Sequence, residues 1–96
     1  MNKLHNPIPI LDEIHLILSP LSFQPADSSV VYPQVSAKLI ELRELKVDED
    51  LLDLIDDSTQ VMLGMKPGDS AATMAHVTTE IEGWKKENPM WFGHLA

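Results

Sequence analysis

Between Glu41 and Asp57 the chain reads ELRELKVDEDLLDLIDD, and each of its seven aliphatic residues is next to a charge. Such a stretch cannot cross a membrane, and it lacks the sustained two-residue alternation of a strand. It fits a pair of amphipathic helices with an anionic outer face. The acids are Glu41, Glu44, Asp48, Glu49, Asp50, Asp53, Asp56 and Asp57, against only Arg43 and Lys46. Six of the chain's eight net negative charges therefore fall within these seventeen residues.

The same helical spacing extends outward. A first helix is expected from about Pro9 to Leu18, capped by Asn6, with a stripe of Ile10, Ile14, Ile17 and Leu21. Ser19-Pro20 ends it, because the residue before a proline avoids the helical region. Residues 19–33 then read as a long loop, punctuated by Pro20, Pro25 and Pro33, with Phe23 and Tyr32 plugging it onto the core. A loop this long is unusual in so small a domain, so a helical turn within it is allowed for. A second helix is predicted from Pro33 to about Lys46, with Val35, Leu39, Leu42 and Leu45 on one face. The third runs from Asp48 to about Leu63, with Asp48 as N-cap, Leu51, Leu54/Ile55, Ser58, Val61/Met62 and Met65 on its stripe, and Gly64 at its C-terminal end. The fourth starts at Asp69 or Ser70 and runs to Glu87, with Met74, Val77, Ile81 and Trp84 on one face; Asn88-Pro89 stops it. Together these predict an all-α, small four-helix bundle with a long loop between helices 1 and 2. Residues 1–96 form one domain ending in an apolar tail, 89–96. Leu39, Leu42, Leu51, Ile55, Ile81 and Trp84 are the predicted core.

Composition narrows the class of function. A hydrophobic content of 44% is that of a globular chain. Zero cysteines exclude disulfides and thiolate metal sites and fit a reducing compartment. Pro7, Pro9, Asp12 and Glu13 interrupt any signal-peptide core, so the expected location is cytoplasmic. A net charge of −8 opposes binding to nucleic acid or to anionic membranes.

No catalytic or cofactor constellation stands out. Asp48-Glu49-Asp50 lacks the glycine at the bend of a calcium loop. Asp12-x-x-His15 is a single pair, whereas a di-iron bundle requires two Glu-x-x-His pairs and two further glutamates. His76 is expected in solvent, and His5 and His94 are terminal. No glycine-rich phosphate cradle or nucleophile elbow is present. The expectation is a protein without catalytic residues, metal or cofactor.

One segment, Gly68-Asp69-Ser70 followed by Met74 and Val77, resembles the phosphopantetheine attachment site of acyl and peptidyl carrier proteins. That resemblance implies a serine, Ser70, carrying a prosthetic arm at the start of a helix in a small acidic bundle. The likeness covers about ten residues. It departs at Ala71, where carriers have a bulky aliphatic, and only 26 residues follow Ser70. In kind, though in no aligned motif, the chain is similar to bacterial immunity proteins, phage-encoded inhibitors and antitoxins. Those are also short, acidic and helical, and offer carboxylates to basic surfaces.

The leading reading is a non-catalytic interaction protein that binds a basic protein partner. Glu41, Glu44, Glu49, Asp53, Asp56 and Asp57 would steer that partner, with Phe92 in the tail as an apolar anchor. The alternative is a homodimer formed through helix 3 or the tail. A carrier modified at Ser70 is third.

Overall fold

The computed structural model describes residues 6–88, within which lie four α-helices: α1 (Pro7–Leu18), α2 (Ser28–Glu44), α3 (Glu49–Met62) and α4 (Ser70–Glu87). The chain is an all-α small bundle, as the hydrophobic spacing predicts. Arg43 on α2 pairs with Glu49 on α3, and Tyr32 bonds to Asp56, so α2 and α3 run antiparallel. Asp12 pairs with Lys85 and His15 with Thr78, so α1 and α4 also run antiparallel. Each helix packs on the next, and α4 returns to α1. The result is an up-down-up-down ring around one core. None of the described helices is long and apolar enough to cross a membrane. The tail, 89–96, lies outside the described residues.

α1 begins at Pro7, two residues before the predicted start. The Asn6 side chain accepts a hydrogen bond from the Ile8 N–H at 2.9 Å, and proline fits a first turn whose N–H groups have no helical partner. Its buried stripe is Ile8, Leu11, Ile14 and Leu18, while Ile10 and Ile17 are only partly buried at the side. The expected stripe was therefore rotated by about one position.

The long loop is the main correction. Ser19–Ser22 form a 3₁₀ turn that carries Leu21 into the core, and α2 starts at Ser28, five residues before Pro33. The Asp27 side chain caps α2, accepting from Ser29 N–H at 2.9 Å. A hydrogen bond from the Ser29 hydroxyl, together with this one from its N–H, holds the Asp27 carboxyl below the usual aspartate pKa. Pro33 lies inside the helix on its exposed side. Its missing N–H leaves the Ser29 carbonyl without its helical donor. The helix continues because both ends of its first two turns are anchored, by Asp27 outside and by Tyr32 and Val31 against the bundle. Phe23 does not plug the core: it is 77% exposed, in the short segment between the 3₁₀ turn and α2.

α2 ends at Glu44 rather than Lys46, and it ends in the same way as α3. After α2, Lys46 N–H bonds to the Arg43 carbonyl and Val47 N–H to the Leu42 carbonyl. After α3, Gly64 N–H bonds to the Val61 carbonyl and Met65 N–H to the Gln60 carbonyl. Both are Schellman caps, which need a left-handed residue just past the helix. Gly64 supplies it at φ 79°, without side-chain strain. Lys46 supplies it at φ 68°, a conformation a lysine rarely adopts. What offsets that strain is Val47, which the turn delivers into the core at 4% exposure.

The core is aliphatic. Leu11, Ile14, Leu18, Val35, Leu42, Leu52, Ile55 and Val77 are fully buried, and Leu39, Leu51, Met62, Met74 and Ile81 nearly so. On α3 Leu52 takes the inner position that Leu54 is expected to hold; Leu54 is half-buried, and Met65, past the end of the helix, is exposed rather than on the stripe. Trp84 is also only half-buried, packed on the rim of the core rather than within it. Every buried side-chain nitrogen or oxygen among the described residues has a hydrogen-bond partner.

Candidate acidic interface and its neighbours

The six predicted acids fall into two groups. Glu41, Glu44 and Asp53 are exposed, and no described residue bonds to them. The other three are engaged within the chain. Glu49 accepts from the Arg43 guanidinium at 2.9 Å, and Asp57 pairs with Lys66 at 2.6 Å. Asp56, expected in solvent, is half-buried between α2 and α3, where it accepts from the Tyr32 hydroxyl at 2.6 Å and from Gln60 at 3.2 Å. The hydrogen bonds that Arg43 donates to Glu49 and Lys66 to Asp57, with added attraction from nearby carboxylates, Asp53 and Asp56 among them, hold Arg43 and Lys66 above their usual pKa values. The face is therefore patterned. Its bases occupy Glu49 and Asp57, while Asp48 and Asp50 at the start of α3 join Glu41, Glu44 and Asp53 as exposed acids with no cation on them. Asp48 stands at the N-cap, as the sequence predicts, but its side chain makes no capping bond. Phe92 lies outside the described residues.

Tyr32 gives this face a testable pH response. Donating to the Asp56 carboxylate stabilises the neutral phenol, so its pKa is raised above that of an ordinary tyrosine. A group whose folded pKa is raised adds stability below its unfolded pKa and loses it as pH climbs through the folded value. Tyr32→Phe should therefore cost about 0.5–1.5 kcal/mol at neutral pH, since the bond is partly solvated. In urea titrations the gap between parent and variant should narrow above about pH 10. A gap that stays constant to higher pH would show that the hydroxyl's bond contributes nothing.

The Asp12/His15 pair is brought into a different use. The Lys85 side chain, 11% exposed, reaches across from α4 to Asp12 at 2.6 Å, with Glu82 at 3.7 Å. His15 Nε2 lies 3.2 Å from the Thr78 hydroxyl. These groups pin α1 to α4. The burial of Lys85 was missed from sequence, where a lysine between Trp84 and Lys86 looks exposed. His76 is exposed, as expected. Among the described residues no group of three or more His, Asp or Glu could hold a metal ion.

At the start of α4, Asp69 is the cap: its carboxylate accepts from Ala72 N–H at 2.8 Å, and Ser70 is merely the first helical residue. Asp69→Ala should lower stability by about 0.5–2 kcal/mol, and Ser70→Ala by less. Equal losses in thermal melts would move the cap to the serine.

The chain matches no protein-family model, and neither a curated protein nor a solved structure matches it.

Proposed function

We propose that the protein is a non-catalytic, cytoplasmic binding module for a basic protein partner, steered by the acids of 41–57. The observation that carries this reading is the set of exposed carboxylates with no cation bonded to them among the described residues, Glu41, Glu44 and Asp53 on one side and Asp48 and Asp50 at the start of α3. Asp48 and Asp50 are favoured by the positive end of α3, but Glu41, Glu44 and Asp53 have no such support, and like charges held together on a folded surface oppose folding slightly. They create a negative field that speeds encounter with a positive surface. Self-association through α3 is disfavoured, because its inner aliphatic residues are buried in this chain's own core and its exposed face is anionic. The absence of cysteine fits a reducing compartment.

The test uses a variant that leaves the internally bonded acids alone. Glu41→Gln, Glu44→Gln and Asp53→Asn combined should leave the melting temperature unchanged or slightly raised. Against a basic protein captured from the native host by the parent, the triple variant should associate more slowly at low salt, with a flatter salt dependence. Equal association rates at low and moderate salt would make the charge a solubilising surface only.

A further inference from the structure

A groove of about 320 Å³ lies between the first turn of α3 and the last two turns of α4. Its apolar walls are Leu51, Leu54 and the half-buried ring of Trp84. Gly83 lies beside that ring. A Cβ added at Gly83 would meet nothing within 4 Å, so packing among the described residues does not demand a glycine there. Glycine in a helix interior costs about 1 kcal/mol against alanine. Gly83 therefore leaves the space beside the indole free of a side chain, at a position where alanine would fit among the described residues and would favour the helix.

Charge decides what suits this space. Asp48 and Asp50 flank it from α3, and Glu80 and Glu87 from α4. None of the four bonds to a cation among the described residues. The negative pole at the end of α4 and the positive pole at the start of α3 meet here and offset each other, so the four carboxylates set the sign. An anion or a neutral apolar chain would meet four carboxylates. A cation with a flat apolar face suits both the rim and the floor, and among side chains that is the arginine guanidinium, which stacks on indole and bonds to carboxylates in pairs.

We propose that this groove seats an arginine side chain of the basic protein partner. This rests on the function proposed above and names where on its edge the affinity resides. Two of its carboxylates, Glu80 and Glu87, lie outside the 41–57 stretch, so the seat and the steering face can be separated by mutation.

The experiment is a ¹H–¹⁵N NMR titration of the full chain with an N-acetylated, C-amidated tetra-arginine peptide. The same peptide with citrulline in place of arginine, alike in shape but uncharged, is the control. The expected result is saturable shifts at the Gly83 and Thr79 amides and the Trp84 indole N–H, with arginine only. Glu80→Gln with Glu87→Gln should weaken that binding roughly tenfold, in line with the loss of a stacked, charge-supported contact. Gly83→Leu should remove the groove shifts while the remaining spectrum stays that of a folded bundle. Glu41→Gln with Glu44→Gln should change affinity far less than the Glu80/Glu87 pair. Equal weakening by the two pairs would overturn the groove and leave the acidic-face reading standing. No saturable binding anywhere, with the Glu41/Glu44/Asp53 variant also unaffected in partner association, would overturn both. Nuclear Overhauser contacts from Trp84 to Trp91 or Phe92 that the peptide cannot displace would assign the groove to the chain's own tail and overturn the proposal.

Discussion

Leu42→Ala and Ile55→Ala should each lower the unfolding free energy by about 2–5 kcal/mol. Both side chains are at 0% exposure, one on α2 and one on α3. Each substitution removes buried methyl groups and leaves a cavity that surrounding helices can only partly collapse. Leu42 has a second role, since its carbonyl accepts the Val47 N–H in the cap that ends α2. A domain of this size typically has about 5–15 kcal/mol in total, so either change removes a large fraction. Each kcal/mol corresponds to roughly 4–8 °C in melting temperature at this length. Thermal and urea melts followed by circular dichroism will measure the loss. If both variants melt with the parent, the inner faces of α2 and α3 are wrongly assigned.

The opposite sign is expected at Pro33. Pro33→Ala should raise stability by about 1–3 kcal/mol. An interior proline costs about 3 kcal/mol through its lost N–H and its clash with the carbonyl four residues earlier, here Ser29. The alanine chain is freer when unfolded, which returns about 0.4–1 kcal/mol of that gain. Pro33 is exposed, so no packing is lost with the ring. Its neighbour Tyr32 keeps the bond to Asp56. A lower urea midpoint in Pro33→Ala would show that the ring stiffens the entry to α2 more than it disturbs the ladder.

The bundle was legible because its signals are local. The aliphatic spacing around Leu39, Leu42, Leu51, Ile55 and Ile81 marks inner faces directly, and all five are buried. Asn6, Gly64 and Asn88 mark helix ends by chemistry that acts within a few residues. The start of α2 was not legible, because Pro33 argues against helix locally and is outweighed by Asp27 and by contacts from Tyr32 that only the folded chain supplies. Lys85 was missed for a related reason. Its side chain is nearly buried, and its charge is met by Asp12, 73 residues away. Phe23 shows the converse error: an aromatic in a link is buried only if the link passes over the core, and this one does not. The charge of the acidic face was legible in full, whereas its division into free and engaged carboxylates required the positions of Arg43, Tyr32 and Lys66.

The antiparallel contact of α1 with α4 makes the scaffold closer to a ring than to a line. Asp12 meets Lys85 and His15 meets Thr78 across 73 and 63 residues, whereas Glu13 meets Lys38 across 25. Closing the longer loop costs about 1 kcal/mol more than closing the shorter one. It also places the start of α1 and the end of α4 at the same end of the bundle. A circular permutant that joins these ends and opens the exposed segment between Phe23 and Ala26 would turn the most distant contacts into neighbouring ones. The same cut would make the α1–α2 contacts, Glu13 with Lys38 among them, the distant ones, so such a chain should reach the same bundle at a similar rate.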